Sequence, residues 1–244
     1  MKLLKILMVV IIFIILVIVL MVGYYGFVPG LSTVMGADKP KDLGVKYTKA
    51  HYDQFSNKLN GDIIPITTSV SPAESITYSG KIDVNKDFSQ EEISSRLNYG
   101  RWKYMPIKNV QVRINNDGSL EFSANLVMDR IAGFIEREGM GKWSIDDVSK
   151  GMNFIKLVRV DPPIYARLKA SISNNQPNGN IEAITVGKFN VPLETVNANE
   201  TAISLFRAIT SKASSFYAKS VTFNQGKMHF EGTLPAKMMV EISN

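Results

Sequence analysis

The stretch that decides the fold is NVQVRINNDGSLEFSANLVM, residues 109–128. Val110, Val112 and Ile114 alternate with polar neighbours. NNDGS then supplies the Asn/Asp/Gly chemistry of a tight turn, and Leu120, Phe122, Ala124, Leu126 and Met128 resume the alternation on the return. Side chains on a strand point to opposite faces in turn, so this pattern predicts a β-hairpin with one apolar face. KSVTFNQGKMHFEGTLP, residues 219–235, carries the same arrangement: Val221 and Phe223 lead in, while Met228, Phe230, Gly232 and Leu234 lead out.

The likeness extends upstream. GKIDV (80–84) precedes a helical segment and the first hairpin, and GKFNV (187–191) precedes a helical segment and the second. A strand, an amphipathic helix and a hairpin thus recur in one order at a nearly constant offset of 107–109 residues. The half-repeats would be 75–130 and 180–236, and two units are too few for a solenoid. The pattern points to an α+β body of curved antiparallel sheet packed with amphipathic helices. Convergence of generic strand patterns is the other reading of the same residues.

FSQEEISSRLN (88–98) is the clearest helix start. Ser89 as N-cap with Glu92 three residues on makes a capping box, and Phe88 with Ile93 makes a hydrophobic staple. YTKAHYDQFSNKL (47–59) opens a second helix at Thr48, and WSIDDVSKGMNFIKLV (143–158) a third at Ser144. DIIPITTSV (62–70), SITYSGKIDV (75–84), IYARLKASIS (164–173) and IEAITVGKFNVP (181–192) read as strands, with NNQPNGN as the turn between the last two. A longer helix is expected over about 198–217.

The N-terminus is of another kind. Residues 6–22, ILMVVIIFIILVIVLMV, form an uninterrupted apolar run with Lys2 and Lys5 before it and Tyr24, Tyr25 and Phe27 after it. About 20 helical residues cross a hydrocarbon core of about 30 Å. The run exceeds the apolar core of a cleavable signal, and no small-x-small site follows it closely. The expectation is a transmembrane signal anchor over 1–23, a juxtamembrane linker over 24–46 and an extracytoplasmic domain over 47–244. The positive-inside bias puts the N-terminus in the cytoplasm.

The 244-residue chain has no Cys and two His, so neither a disulfide framework nor a standard metal-ligand cluster is expected. Net charge is +6; without Lys2 and Lys5 it is +4, dispersed and without a basic run, so no nucleic-acid partner is expected. Gly-Lys pairs at 80, 141, 187 and 226 lack the earlier Gly and the following Ser or Thr of a phosphate loop. No nucleophile motif is present. The expectations are no catalytic residue, no metal and no cofactor. NYGRWKYMP (98–106) places Arg101, Trp102 and Tyr104 in a loop, either as a contact surface or as a cap on the core.

The single N-terminal apolar span, the Cys-free α+β exterior, VGKFNVP and VTFNQGKMHFEGTLP together resemble the YpmS-like and LmeA-like envelope proteins of bacteria, mainly over residues 180–235. The resemblance implies a fold akin to tubular lipid-binding domains, a curved sheet around a helix that holds an acyl chain near the membrane. Its expected partners are the bilayer, a bound lipid and an envelope protein. The expected apolar lining is Val112, Ile114, Leu120, Phe122, Leu126, Val221, Phe223, Met228, Phe230 and Leu234. The same apolar faces would equally serve a closed core in a structural or interaction ectodomain, with an envelope enzyme as the third reading.

Overall fold

Ser89 ends a strand and starts a helix, and that junction organises the domain. In the computed structural model, which describes residues 2–139, 161–194 and 197–243 with side chains from Ile11 on, the Ser89 hydroxyl accepts from the Glu92 amide at 3.2 Å. The Glu92 carboxylate accepts from the Ser89 amide at 2.8 Å. This is the capping box expected from sequence, and Phe88 and Ile93 sit together in the core beneath it.

The elements are α1 (Lys2–Tyr24), α2 (Leu31–Val34), α3 (Lys49–Leu59), β1 (Asp62–Ile66), β2 (Ile76–Ser79), β3 (Ile82–Ser89), α4 (Gln90–Tyr99), β4 (Ile107–Ile114), β5 (Ser119–Leu126) and α5 (Met128–Glu138). After the interval come β6 (Pro163–Ser173), β7 (Gln176–Val186), β8 (Phe189–Asn190), α6 (Ala198–Ser211), β9 (Tyr217–Asn224), β10 (Lys227–Leu234) and β11 (Lys237–Glu241). The main sheet runs β3-β10-β9-β6-β5-β4, with β7 on the far side of β6 and β8 beyond it. A smaller sheet runs β1-β11-β2, with β1 and β11 parallel. The architecture is mixed α+β, and the antiparallel sheet curls into a half-barrel.

Both expected hairpins are present, β4–β5 and β9–β10. They meet tip to tip: a Cβ on Gly118 would stand 3.0 Å from the Phe223 carbonyl oxygen. Gln90 joins the two tips, donating its amide to the Gly226 carbonyl and accepting from the Ile114 amide through Oε1. Helix α4 also covers the free edge of β4. Ser94 Oγ accepts from the Val112 amide at 2.9 Å, and Asn98 Oδ1 from the Val110 amide at 2.9 Å. Residues four apart on a helix advance about 6 Å, close to the two-residue step of a strand, so Gln90, Ser94 and Asn98 match Ile114, Val112 and Val110 in order. An edge strand that would otherwise recruit another chain is thereby satisfied.

Several sequence expectations shift. The segment 75–84, expected as one strand, breaks at Gly80, whose φ of +68° favours glycine, and the chain passes there from the small sheet to the large one. The turn expected across NNQPNGN is confined to Asn174 and Asn175, both left-handed (φ 49° and 60°), and β7 begins at Gln176. Met128 begins α5 rather than ending β5, and β11 was not foreseen. The helix expected over 143–158 lies outside the described residues.

The apolar run forms helix from Lys2 to Tyr24, 23 residues, with Ile11–Met21 exposed. A membrane span was expected over 1–23. Among the residues described with their side chains, no helix is long and apolar enough to cross a membrane, since only the part of α1 from Ile11 falls among them. Two buried clusters hold the remainder. One gathers Val84, Phe88, Ala218, Val221 and Phe230 under the second hairpin; the other gathers Ile76, Trp102 and Val240 under the small sheet.

Candidate functional site

The two sheets join where the chain crosses twice between them, at Gly80 and at Pro235–Ala236. Helices α3 and α4 lie over this seam, and a cavity of about 180 Å³ remains beneath them. Its walls are Phe55 and Leu59 from α3, Ile63 from β1, Ile82 from β3, Leu234 from β10 and Met238 from β11. Four polar residues also line it: Ser56, Asp62, Tyr78 and Arg96. Asp62 is exposed, whereas Tyr78 and Arg96 are half-buried.

Arg96 stands in the last turn of α4, with its guanidinium carbon 5.9 Å from the Tyr52 ring centre. Among the described residues it makes no ion pair. Burial pushes its pKa down, with Tyr52 and Tyr78 pulling the other way. Burial also pushes the Tyr78 phenol up; Arg137, stacked 5.9 Å from that ring, opposes the change. The cavity is therefore mostly apolar, with Arg96 at one wall.

Of the residues expected to line a site, Leu234 reaches this cavity. Ile114, Leu120, Val221 and Phe230 are buried in the packed interior, and Val112, Phe122, Leu126, Phe223 and Met228 are half-buried on the sheet. Strand register puts Leu120 beside Leu168 and Ile181, Phe122 beside Ala166 and Ile184, and Ala124 beside Ile164 and Val186, as one continuous apolar face. In the loop expected as a contact surface, Trp102 is 6% exposed and donates its indole N–H to Ser75 Oγ at 3.1 Å. Tyr104 packs against the same cluster, while Arg101 is exposed in a left-handed conformation (φ 52°).

The polar side of β5 was not legible as a site. Ser119, Glu121, Ser123 and Asn125 are all buried, although they alternate with the apolar positions. Residues 37–46 of the linker lie across them. Asn125 Nδ2 donates to the Asp38 carbonyl at 2.9 Å, and Gln111 Oε1 accepts from the Leu43 amide at 2.7 Å. Ala37, Leu43 and Val45 are buried in consequence. Glu121 ties the strap down: it accepts from Arg113, from the Tyr165 hydroxyl at 2.7 Å and from Asn115 at 3.3 Å, and it pairs with Lys41 at 3.5 Å. Burial alone would raise its pKa. The hydrogen bonds from Tyr165, Arg113 and Asn115, with the Arg113 charge, outweigh that and hold it at about 2.

The strap leads back to α1. Lys188 donates its amide to the Tyr25 carbonyl and its ammonium to the Met35 carbonyl, and Phe189 meets the Tyr25 ring edge-on at 6.0 Å. Gly187 is required here, since its φ is +60° and a Cβ would fall 1.7 Å from the Tyr25 oxygen. A second cavity, of about 360 Å³, opens beside this junction with Lys39, Lys41 and Lys188 around it. Among the described residues no group of three His, Cys, Asp or Glu could hold a metal ion. His51 serves the cap of α3, and His229 faces Asp87 across β10 and β3 at 2.7 Å.

With this geometry in hand, comparison with known proteins adds no further constraint: no family model matches the chain, and no curated protein or solved structure matches it significantly.

Proposed function

We propose that this protein is a non-catalytic, membrane-anchored extracytoplasmic protein of the cell envelope that binds a lipid or another apolar ligand. The observation that carries the reading is the cavity under α3 and α4, walled by Phe55, Leu59, Ile63, Ile82, Leu234 and Met238. Its volume of about 180 Å³ is of the order of an engineered apolar cavity of about 150 Å³ that stays dry and takes up benzene. A segment of one alkyl chain fits such a space.

The anchor reading is supported by the backbone of α1. Its 23 residues extend about 34 Å, against a hydrocarbon core of about 30 Å. The domain is seated directly on the end of that helix through Gly187 and Lys188. Of the lysines at the junction, Lys41 also pairs with Glu121 and Lys188 also donates to Met35, while Lys39 would face the headgroups, where a lysine contributes about 1 kcal/mol on an anionic surface.

The rival reading, an interaction ectodomain with a closed core, is favoured by the burial of Ile114, Leu120, Val221 and Phe230. Native mass spectrometry of the full-length protein, extracted from its membrane in a mild detergent, separates the two. The lipid-binding reading expects a retained lipid adduct that is lost in Leu59→Trp, where the indole fills the cavity. A bare mass in the wild-type protein, or an adduct indifferent to Leu59→Trp, would sink it.

A further inference from the structure

We propose that the cavity selects a single-chain anionic amphiphile, a long-chain carboxylate, whose head is held by Arg96 and whose alkyl chain lies between α3 and the seam of the two sheets. This rests on the lipid-binding reading and narrows it to one ligand chemistry.

The argument begins with charge. A guanidinium stays protonated under any physiological condition, and removing it from water is costly unless an anion faces it. Arg96 is half-buried and lies against Tyr52, yet no described carboxylate pairs with it. Of the acids near it, Glu92 is engaged elsewhere and Asp62 stands exposed at the surface. Glu92, one turn back on α4, is occupied by Lys58 at 2.7 Å and by the Ser89 amide. Asp62 lines the cavity but is exposed and forms no ion pair among the described residues. What Arg96 does have is the carbonyl end of α4, whose partial negative charge offsets only part of its own. A carboxylate matches the guanidinium fork with two parallel hydrogen bonds. The lowering of the Arg96 pKa by burial agrees with a cation that no described carboxylate pairs.

Size then limits the tail. About 180 Å³ matches a segment of one chain beside the head. The chain would run along Phe55, Leu59, Ile82 and Leu234, away from Arg96. The lysine-ringed cavity at the end of α1 is distinct: its lining is more polar and suits a headgroup already in the bilayer.

The test uses the full-length protein in a nonionic detergent and a diazirine-bearing C16 fatty acid, compared with the corresponding alcohol. After irradiation, peptides 49–63 and 82–96 are assayed for adducts by mass spectrometry. The acid should label the wild type at least about tenfold more strongly than the alcohol, the effect expected of a charge-assisted hydrogen bond. Arg96→Gln should remove that preference while leaving alcohol labelling unchanged, which also shows that the variant is folded. Arg96→Lys should retain part of it. Equal labelling by acid and alcohol, or a preference surviving Arg96→Gln, overturns the carboxylate inference and leaves the apolar-ligand reading standing. If 100 mM acetate abolishes acid labelling, Arg96 is a small-anion site and the claim that the chain contributes is overturned. Absence of any label in these peptides overturns the lipid-binding reading itself.

Discussion

Replacing Glu121 by Gln removes the charge around which the linker strap is tied. The carboxylate is 2% exposed and holds a pKa of about 2, against an ordinary value of 4.5. A tenfold difference in proton affinity between the folded and unfolded chain is worth about 1.4 kcal/mol, so the ionised group contributes about 3 kcal/mol of folding stability. Its charged partners, Arg113 and Lys41, are partly solvent-exposed (40% and 52%), which makes this an upper figure. Because the folded pKa lies below the unfolded one, the contribution is fully present above about pH 4.5. It is lost as pH falls through about 2. The assay is guanidinium unfolding of the full-length protein in nonionic detergent at pH 7, 4 and 2, with both wild type and Glu121→Gln. The wild type should lead by up to about 3 kcal/mol at pH 7, and most of that lead should vanish by pH 2. Limited proteolysis at pH 7 should also cut the variant first within residues 38–46. A lead that does not change with pH would refute the linkage, and a strap equally protected in the variant would refute the role assigned to Glu121.

Asn98→Leu should leave the Val110 amide on the β4 edge without its partner, costing about 1–3 kcal/mol and raising concentration-dependent aggregation by light scattering. Gly187→Val places a Cβ against the Tyr25 carbonyl in a left-handed backbone position; the expected outcome is faster proteolysis at residues 24–37 while the second hairpin stays protected. Ser89→Ala removes the cap of α4 and should lower stability by about 1 kcal/mol in the same unfolding assay. Phe88→Ala, at 1% exposure in the larger core cluster, should cost about 3–5 kcal/mol in the same unfolding assay, a large part of an ordinary domain stability of about 5–15 kcal/mol.

Sequence legibility followed interaction range. The Ser89–Glu92 cap, the two hairpins and β6 depend on neighbours a few residues apart, and each was readable from spacing alone. The Gly80 break was not, because a strand-like alternation continues through it and only the docking of two separate sheets makes the turn necessary. Strand β11 takes its identity from β1, 175 residues earlier in the chain, in a parallel pairing that no local pattern announces. The linker misled for a related reason. Its Gly, Pro and Lys content describes a solvated connector, yet its backbone groups meet Gln111 and Asn125, and the alternating polar face of β5 is buried under it. The apolar lining expected from the hairpins fell mostly into the core. The cavity draws on one of those residues, Leu234, and otherwise on α3, β1, β3 and β11, which sequence spacing had no means of bringing together. Arg96 carried one local signal, a basic residue in the last helical turn, and that alone reads as a helix-end interaction.

The claim that the protein holds an apolar ligand is tested most directly by a crystal structure of the full-length chain purified from its membrane with no lipid added. The account predicts continuous elongated density between Phe55 and Met238, with one end within hydrogen-bonding distance of Arg96. A cavity closed by repacked side chains, or filled only by ordered water, would contradict it.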